Sequence, residues 1–367
     1  MKNAFTEYTF NNGAVLKNRL VLAPMTTYSS NDDLTLSDEE EVYYNARAKQ
    51  FGMIVTAATA VSKNAQAFKN QISIRDQRYL NSMKRLAKSI TKEGSKAILQ
   101  LHHGGRMNAP GLYVNQDIVA PSAVPAARDN AVTPRELKTS EVYDILDYFT
   151  NATKLAIRAG FDGVEIHGAN TYLVQQFFSP HSNRRDDEFG GSLEKRLRFP
   201  IELVERIIEV KKKYASKEFI IGYRFSSEEL EEPGISLKDT HLLVDELASR
   251  ELDYLHISAG KYNQSSIKDL EDKTPIAKGL LKVIDKRVPL IGVGGIETKE
   301  NIEDALNLGY ELAAIGFISL SDTQIVDHLR DGITPKKVVN KESLLPTNLY
   351  NILGKWLQNN DRGYTIE

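Results

Sequence analysis

The sequence has no cysteine among its 367 residues, which excludes disulfides, thiolate-ligated zinc, iron–sulfur clusters and cysteine nucleophiles together. It has no apolar run of 18 residues, and its start, M-K-N-A-F-T-E-Y-T-F-N-N-G, holds no apolar core of the kind a secretory signal carries. A soluble, cytoplasmic chain without a membrane partner is expected. A charge excess is missing as well: 47 Lys+Arg against 49 Asp+Glu leave a formal net charge of −2. Nucleic-acid binders normally carry a basic excess, so no nucleic-acid partner is expected. Low-complexity tracts and Pro/Gly/Ser linkers are also lacking, and nothing of that kind marks a domain boundary.

What is present is a rhythm. Short apolar, β-branched runs fall at 18–25, 53–61, 96–102, 163–167, 219–226, 254–260, 289–295 and 312–319. Each is nearly continuous in its apolar character, as strands of a parallel sheet buried on both faces should be. Helix-period segments lie between them at 37–50, 77–93, 139–159, 193–214, 237–249, 275–286, 299–308 and 321–330. Ser37 before Asp38, Glu39 and Glu40 reads as an N-cap with an acidic first turn, and Thr298 before Glu300 reads similarly. Gly94, Gly160 and Gly309 follow helical stretches as terminating glycines do. The alternation predicts an α/β chain folded as a single closed (β/α)8 TIM barrel over residues 1–330. A doubly wound open sheet is the rival, but G-x-G-x-x-G does not follow the first strand.

Three segments stand outside the repeat. Residues 8–16 carry Asn-Gly between apolar runs, a hairpin signal, and are expected to plug the N-terminal mouth of the barrel. Residues 103–138 form a Gly/Pro/Ala-rich excursion too long for a plain connection, expected to serve as a lid or cofactor cover. Residues 331–367 form a C-terminal extension holding the only Trp, Trp356, expected to pack on the barrel or on a partner subunit.

In such barrels the chemistry gathers at the C-terminal ends of the strands. Those ends carry Thr26 and Tyr28, Ala58, Gln100, His167 with Asn170 and Tyr172, Arg224, Gly294 with Gly295, and Gly316 with Phe317. In H-G-A-N-T-Y (167–172), a His N–H and an Asn amide aimed at one point form a two-donor cradle for a carbonyl oxygen gaining negative charge. The Tyr172 hydroxyl beside it is placed to deliver a proton. A helix-capping Asn beside a satisfied histidine is the blander alternative. Arg224, inside an apolar strand, needs a fixed anionic partner: either a structural carboxylate, with Glu165 as the candidate, or a ligand that becomes anionic. Gln100 offers a donor and an acceptor to a heterocycle edge. Gly292, Gly294, Gly295 and Gly316 are either plain tight turns or a phosphate cradle of free N–H groups. Together these groups describe a flat, amide-edged heterocycle with a phosphate tail beneath a bound carbonyl, a description that fits FMN.

At this point the residues resemble the Old Yellow Enzyme family of FMN-dependent NAD(P)H oxidoreductases, or ene-reductases. The matching stretches are N-R-L-V-L-A-P-M-T-T-Y, A-A-T-A-V, I-L-Q-L-H-H-G-G-R, G-F-D-G-V-E-I-H-G-A-N-T-Y-L and, most specific, S-P-H-S-N-R-R-D-D-E-F-G-G-S-L-E-K-R at 179–196. The resemblance implies that Pro24, Met25, Thr26, Ala58, Gln100, His167 and Arg224 contact the isoalloxazine. Gly294, Gly295, Gly316 and Phe317 would then lie at the phosphate end. It implies that His167 and Asn170 bind the carbonyl of an activated alkene, that Tyr172 protonates it, and that Tyr28 lines the substrate pocket. NADH or NADPH is the implied reductant, a small unsaturated carbonyl compound the substrate, and a homo-oligomer, dimer or tetramer, the expected assembly.

One position departs from the family pattern. The family usually places Gly-Arg at the end of strand eight, the arginine holding the FMN phosphate. Here the pair is Gly316-Phe317, with no Lys or Arg from 309 to 329. The phosphate then depends on backbone N–H groups or on a cation from elsewhere, such as Lys261 or Lys299, and weakened FMN retention is expected. A flavin-poor barrel acting as a scaffold is the non-enzymatic alternative, supported by Phe317 alone. A metal-dependent barrel hydrolase would want His-x-His after the first strand, where this chain has T-T-Y.

Overall fold

The computed structural model describes residues 2–108, 112, 117–358 and 363–367. The apolar runs become β1 (Leu20–Leu22), β2 (Met53–Val55), β3 (Lys96–His102), β4 (Gly163–Gly168), β5 (Ile220–Ser226), β6 (Tyr254–Ser258), β7 (Leu290–Val293) and β8 (Leu312–Ile315). Each pairs in parallel with the next, and Ala313 of β8 registers with Leu20 of β1, so the barrel closes on itself. Closure removes the open edges that a sheet of this size otherwise leaves.

Between the strands run α1 (Asp38–Ala48), α2 (Leu80–Thr91), α3 (Thr139–Ala159), α4 (Leu193–Tyr214), α5 (Leu237–Ala248), α6 (Ile276–Ile284), α7 (Lys299–Leu308) and α8 (Ile325–Arg330). Ser37 and Glu40 complete a capping box on α1, and Ser192 and Thr298 cap α4 and α7 through their hydroxyls. Two elements differ from the sequence reading. The run 53–61 breaks after Val55, because Tyr44 takes the Ala57 N–H at 2.8 Å and Gln71 donates to the Ala58 carbonyl at 2.9 Å, replacing the ladder. The segment 321–330 is not one helix. A short turn, Ile318–Ser321, ends at the extended Asp322, whose carboxylate accepts from Gln324 N and pairs with His328 to start α8 afresh.

Inside the barrel, Val21, Met53, Ile98, Ile220, Tyr254, Ile291 and Leu312 form the lower layers. The N-terminal hairpin, Tyr8–Thr9 paired with Val15–Leu16, adds Phe10 and Leu16 to this cluster, Phe10 lying 6.3 Å from the Tyr254 ring. The N-terminal mouth of the barrel interior is therefore filled with hydrocarbon.

The excursion after β3 contributes a turn at Gly105–Met107 and a parallel pair, Val119–Ala120 with Arg135–Glu136. Residues 109–111 and 113–116 of that expected lid lie outside the described residues. The 179–196 segment anchors it. Buried Arg185 donates to the carbonyls of Pro121 at 2.9 Å and Leu137 at 2.5 Å while pairing with Asp187. The C-terminal extension packs back on the barrel: buried Arg47 donates to Ser343 O, Asn348 donates to Tyr28 O, and Trp356 stacks on Phe317 at 4.7 Å. Residues 359–362 of it lie outside the described residues. No helix among the described residues is long and apolar enough to cross a membrane.

Candidate active site

The polar rim is organised around a buried carboxylate. Glu165 on β4 accepts hydrogen bonds from Gln100 Nε2 at 2.7 Å, His256 Nδ1 at 2.9 Å and the Tyr254 hydroxyl at 3.0 Å. Burial opposes its charge, but His256, Arg224 and the Gln100 amide outweigh that and hold the carboxyl below its usual range. Glu165 is therefore an anion at the centre of the barrel. Burial lowers the His256 pKa against the opposing pull of Glu165, to which its Nδ1 donates.

Arg224 on β5 registers with His167 on one side and His256 on the other. It makes no direct ion pair among the described residues. Its Nη2 donates to Ser258 Oγ at 3.1 Å, and its Nε is buried with no hydrogen-bond partner among them. Burial lowers its pKa below the usual arginine value, and the Glu165 charge offsets that only in part. Both sequence alternatives for Arg224 therefore hold in part, since it feels Glu165 and also faces a cavity. Gln100 gives an amide hydrogen to Glu165, and like Thr26, Ala58 and His167 it stands outside the lining of that cavity.

Above Arg224, His167 is buried and its pKa lies well below the usual histidine value, first through burial and then through His102, Arg224 and His256 nearby. Its Nδ1 accepts the Ala169 N–H at 3.3 Å. A neutral ring that accepts at Nδ1 must carry its hydrogen at Nε2, so Nε2 is a donor. Asn170 is exposed, in the left-handed region at φ 55, followed by Thr171 at φ 63. Two consecutive non-glycine residues in that region cost about 1–3 kcal/mol each, a strain typical of functional loops. The Asn170 Oδ1 accepts from Ser258 Oγ at 2.8 Å, which commits the oxygen and leaves the N–H2 as the donor end of the carboxamide. Asn170 caps no helix: the following helix, Leu173–Phe178, has Tyr172 at its N-cap without a side-chain cap bond.

Beside this pair stands an aromatic wall. Tyr172 lies 5.0 Å from the His167 ring, 4.4 Å from His102 and 5.9 Å from Phe68, which in turn lies 5.6 Å from Tyr28. Burial raises the Tyr172 pKa above the ordinary phenol value, as it does for Tyr28. His102 and Phe68 are members that sequence reasoning did not assign. His102 was visible at the end of β3, whereas Phe68 lies in a loop with no periodicity to point to it. Thr26 is half-buried at the end of β1, and Ala58 is buried near Gln71.

Pro24, Met25, Arg224, Gly294, Gly295, Gly316 and Phe317 all line one cavity of about 220 Å³, together with Glu297. Gly294 sits at φ 102, and a Cβ there would come within 2.5 Å of the Ala259 carbonyl oxygen. Only glycine lets β7 turn this closely onto the Ala259–Gly260 backbone. Lys261 lies beside Gly295, while Lys299 lines a separate cleft with Lys2 and Arg330. Larger clefts near the N-terminal hairpin hold none of the strand-end groups.

The closed barrel thus brings a buried guanidinium, a neutral donor pair and a glycine cradle to one rim. The sequence profile of the NADH:flavin oxidoreductase / NADH oxidase family matches residues 4–336, and the chain belongs to that family. It is 45% identical over 312 residues to the NADH:fumarate oxidoreductase of Klebsiella pneumoniae (strain 342), covering 84% of this chain and 34% of that protein. It is 40% identical over 332 residues to the probable NADH-dependent flavin oxidoreductase YqiG of Bacillus subtilis (strain 168), covering 90% and 88%. Among solved structures, morphinone reductase superposes with a TM-score of 0.77 at 26% identity, covering 91% of this chain and 90% of that one. The chain spans about a third of the length of two curated relatives, the fumarate enzyme and the NADH:acrylate oxidoreductase of Vibrio harveyi. The family implies FMN, and the orphaned Arg224 Nε and the Gly294 turn fit its ring and tail. Position 317 offers the phosphate no charge; Phe317 is held instead against Trp356.

Proposed function

We propose that this chain oxidises NADH or NADPH and reduces the C=C bond of small α,β-unsaturated carbonyl compounds. The observation that carries the reading is the neutral His167, its Nδ1 occupied by Ala169 N–H, presenting an Nε2 donor beside Tyr172 on the rim above Arg224. Pro24, Met25, Thr26, Ala58, Gln100, His167, Arg224, Gly294, Gly295, Gly316 and Phe317 would hold FMN, which would supply hydride acceptance and donation. His167 Nε2 and the Asn170 amide donate to the substrate carbonyl oxygen and stabilise the charge that develops there. Neither donor loses a proton in doing so. Arg224 balances negative charge on the ring side, with Gln100 acting through Glu165 to keep that balance fixed. Tyr172 delivers the proton to the α-carbon; burial keeps its hydroxyl protonated at neutral pH, as a proton donor requires. The alkene thus gains one hydride and one proton. Fumarate and acrylate, in the names of two relatives, are alkenes conjugated to carboxylates and support this substrate class.

The test is optical. Yellow protein should bleach with NADH or NADPH under nitrogen and recover its colour on adding cyclohexenone. A colourless protein that FMN cannot reconstitute would overturn the reading in favour of a scaffold.

A further inference from the structure

We propose that Lys337, in the C-terminal extension, is the cation that holds the flavin phosphate where the family's arginine is replaced by Phe317; this rests on the FMN reading above. The cavity-lining residue Glu297 lies two positions beyond Gly295, so a phosphate settling on the glycine turn meets a carboxylate. That carboxylate is already neutralised: Lys337 Nζ lies 2.7 Å from Glu297 Oε2. An ammonium has three donors, so Lys337 can keep Glu297 and donate to a phosphate oxygen at once.

The lysine is also held in place, unlike a typical surface side chain. Its Nζ sits 5.1 Å over the Tyr364 ring, and the Tyr364 hydroxyl itself reaches Glu297 Oε1 at 3.4 Å. Its carbonyl accepts from Thr365 N at 2.9 Å, and Val338 and Val339 pair in parallel with Thr365 and Ile366. The preceding Lys336 carbonyl accepts from Ser321 Oγ at 2.8 Å, tying the segment to the turn that follows Phe317. A cation fixed before the ligand arrives loses less side-chain freedom on binding. Lys261, exposed beside Gly295, has no such anchoring. The extension thereby completes the phosphate end that β8 leaves uncharged.

Apo-protein is titrated with FMN and, separately, with riboflavin, which lacks the phosphate, following flavin fluorescence. Lys337→Met should weaken FMN roughly ten- to a hundredfold while leaving riboflavin unchanged, the loss expected for one charge-assisted contact. Lys337→Arg should retain most FMN affinity, Lys261→Met should leave the FMN-to-riboflavin ratio unaltered, and Glu297→Gln should tighten FMN alone. The proposal is overturned if Lys337→Met leaves the ratio intact, if it weakens both flavins equally, or if Lys261→Met carries the loss instead. Wild-type protein that binds neither flavin would remove the FMN reading itself, a result distinct from all of these.

Discussion

Ser258 donates its hydroxyl hydrogen to Asn170 Oδ1 at 2.8 Å, and this one bond decides which end of the carboxamide faces the rim. The same hydroxyl accepts from Arg224 Nη2 at 3.1 Å, so the guanidinium and the carboxamide are linked through β6. Without that bond the amide can turn and present its oxygen to a substrate carbonyl. Ser258→Ala should therefore weaken binding of a phenol inhibitor by about fivefold, the worth of one neutral hydrogen bond near 1 kcal/mol. FMN content should change little. Difference absorbance of the phenol complex measures it, and an unaltered dissociation constant would show that Asn170 needs no orientation.

The barrel was legible because its strands are buried on both faces and so read as unbroken apolar runs, while the glycines and Arg224 stand out at their ends. What escaped the sequence acts through partners far along the chain. Ser258 reaches Asn170 across 88 positions, and Gln100 is spoken for by Glu165 across 65. From sequence, Gln100 shows its donor and acceptor but not the carboxylate that takes its Nε2 hydrogen. Phe317 likewise reads as a missing charge, and only the fold shows it stacked on Trp356, with a lysine arriving from the same extension. Hairpin and helix caps are local and were foreseeable, but the break between Val55 and Thr59 depends on Tyr44 and Gln71 side chains that no local pattern announces.

The turn after β7 admits no side chain. Gly294→Ala places a methyl within 2.5 Å of Ala259 O at a φ of 102°, so the Ala259–Gly260 backbone must move. Strain of this kind costs about 1–3 kcal/mol, and the displaced turn is a wall of the cavity proposed for the flavin. The variant is expected to lower the unfolding midpoint and to lose FMN during gel filtration. Gly332→Ala, with open space around it, controls for left-handed strain alone.

Burial drives His102 and His103 down to about 3, and His167 also lies well below the usual value. The unfolded chain takes up these protons near pH 6.5, whereas the folded chain refuses them until far lower. Between those limits the unfolded state holds more protons, so stability rises with pH and falls on acidification. Each such histidine contributes a slope of about 1.4 kcal/mol per pH unit once pH is below 6.5. Glu165, held below the ordinary carboxylate range, adds its loss only at more acid pH. Urea unfolding at pH 7.5 and 5.5 should show a clear drop, and His103→Gln should flatten it by close to one proton. A pH-independent midpoint across that interval would contradict the neutral, buried assignment.

Among the described residues the Tyr172 side chain is held by rings rather than hydrogen bonds, 4.4 Å from His102 and 5.0 Å from His167. Removing its hydroxyl leaves the wall intact, so Tyr172→Phe isolates the proton from the packing. Flavin reduction by NADH needs no proton from this side chain and should proceed at nearly the wild-type rate. Reoxidation by cyclohexenone should slow by about 10²–10⁴-fold, the usual worth of a positioned general acid. By contrast, His167→Ala with Asn170→Ala should weaken phenol binding and enone turnover together while sparing FMN content, because both side chains are proposed to act on the bound carbonyl. Stopped-flow measurement of the two half-reactions separates these effects. Equal slowing of both half-reactions in Tyr172→Phe would take the proton away from Tyr172 and leave it as wall alone.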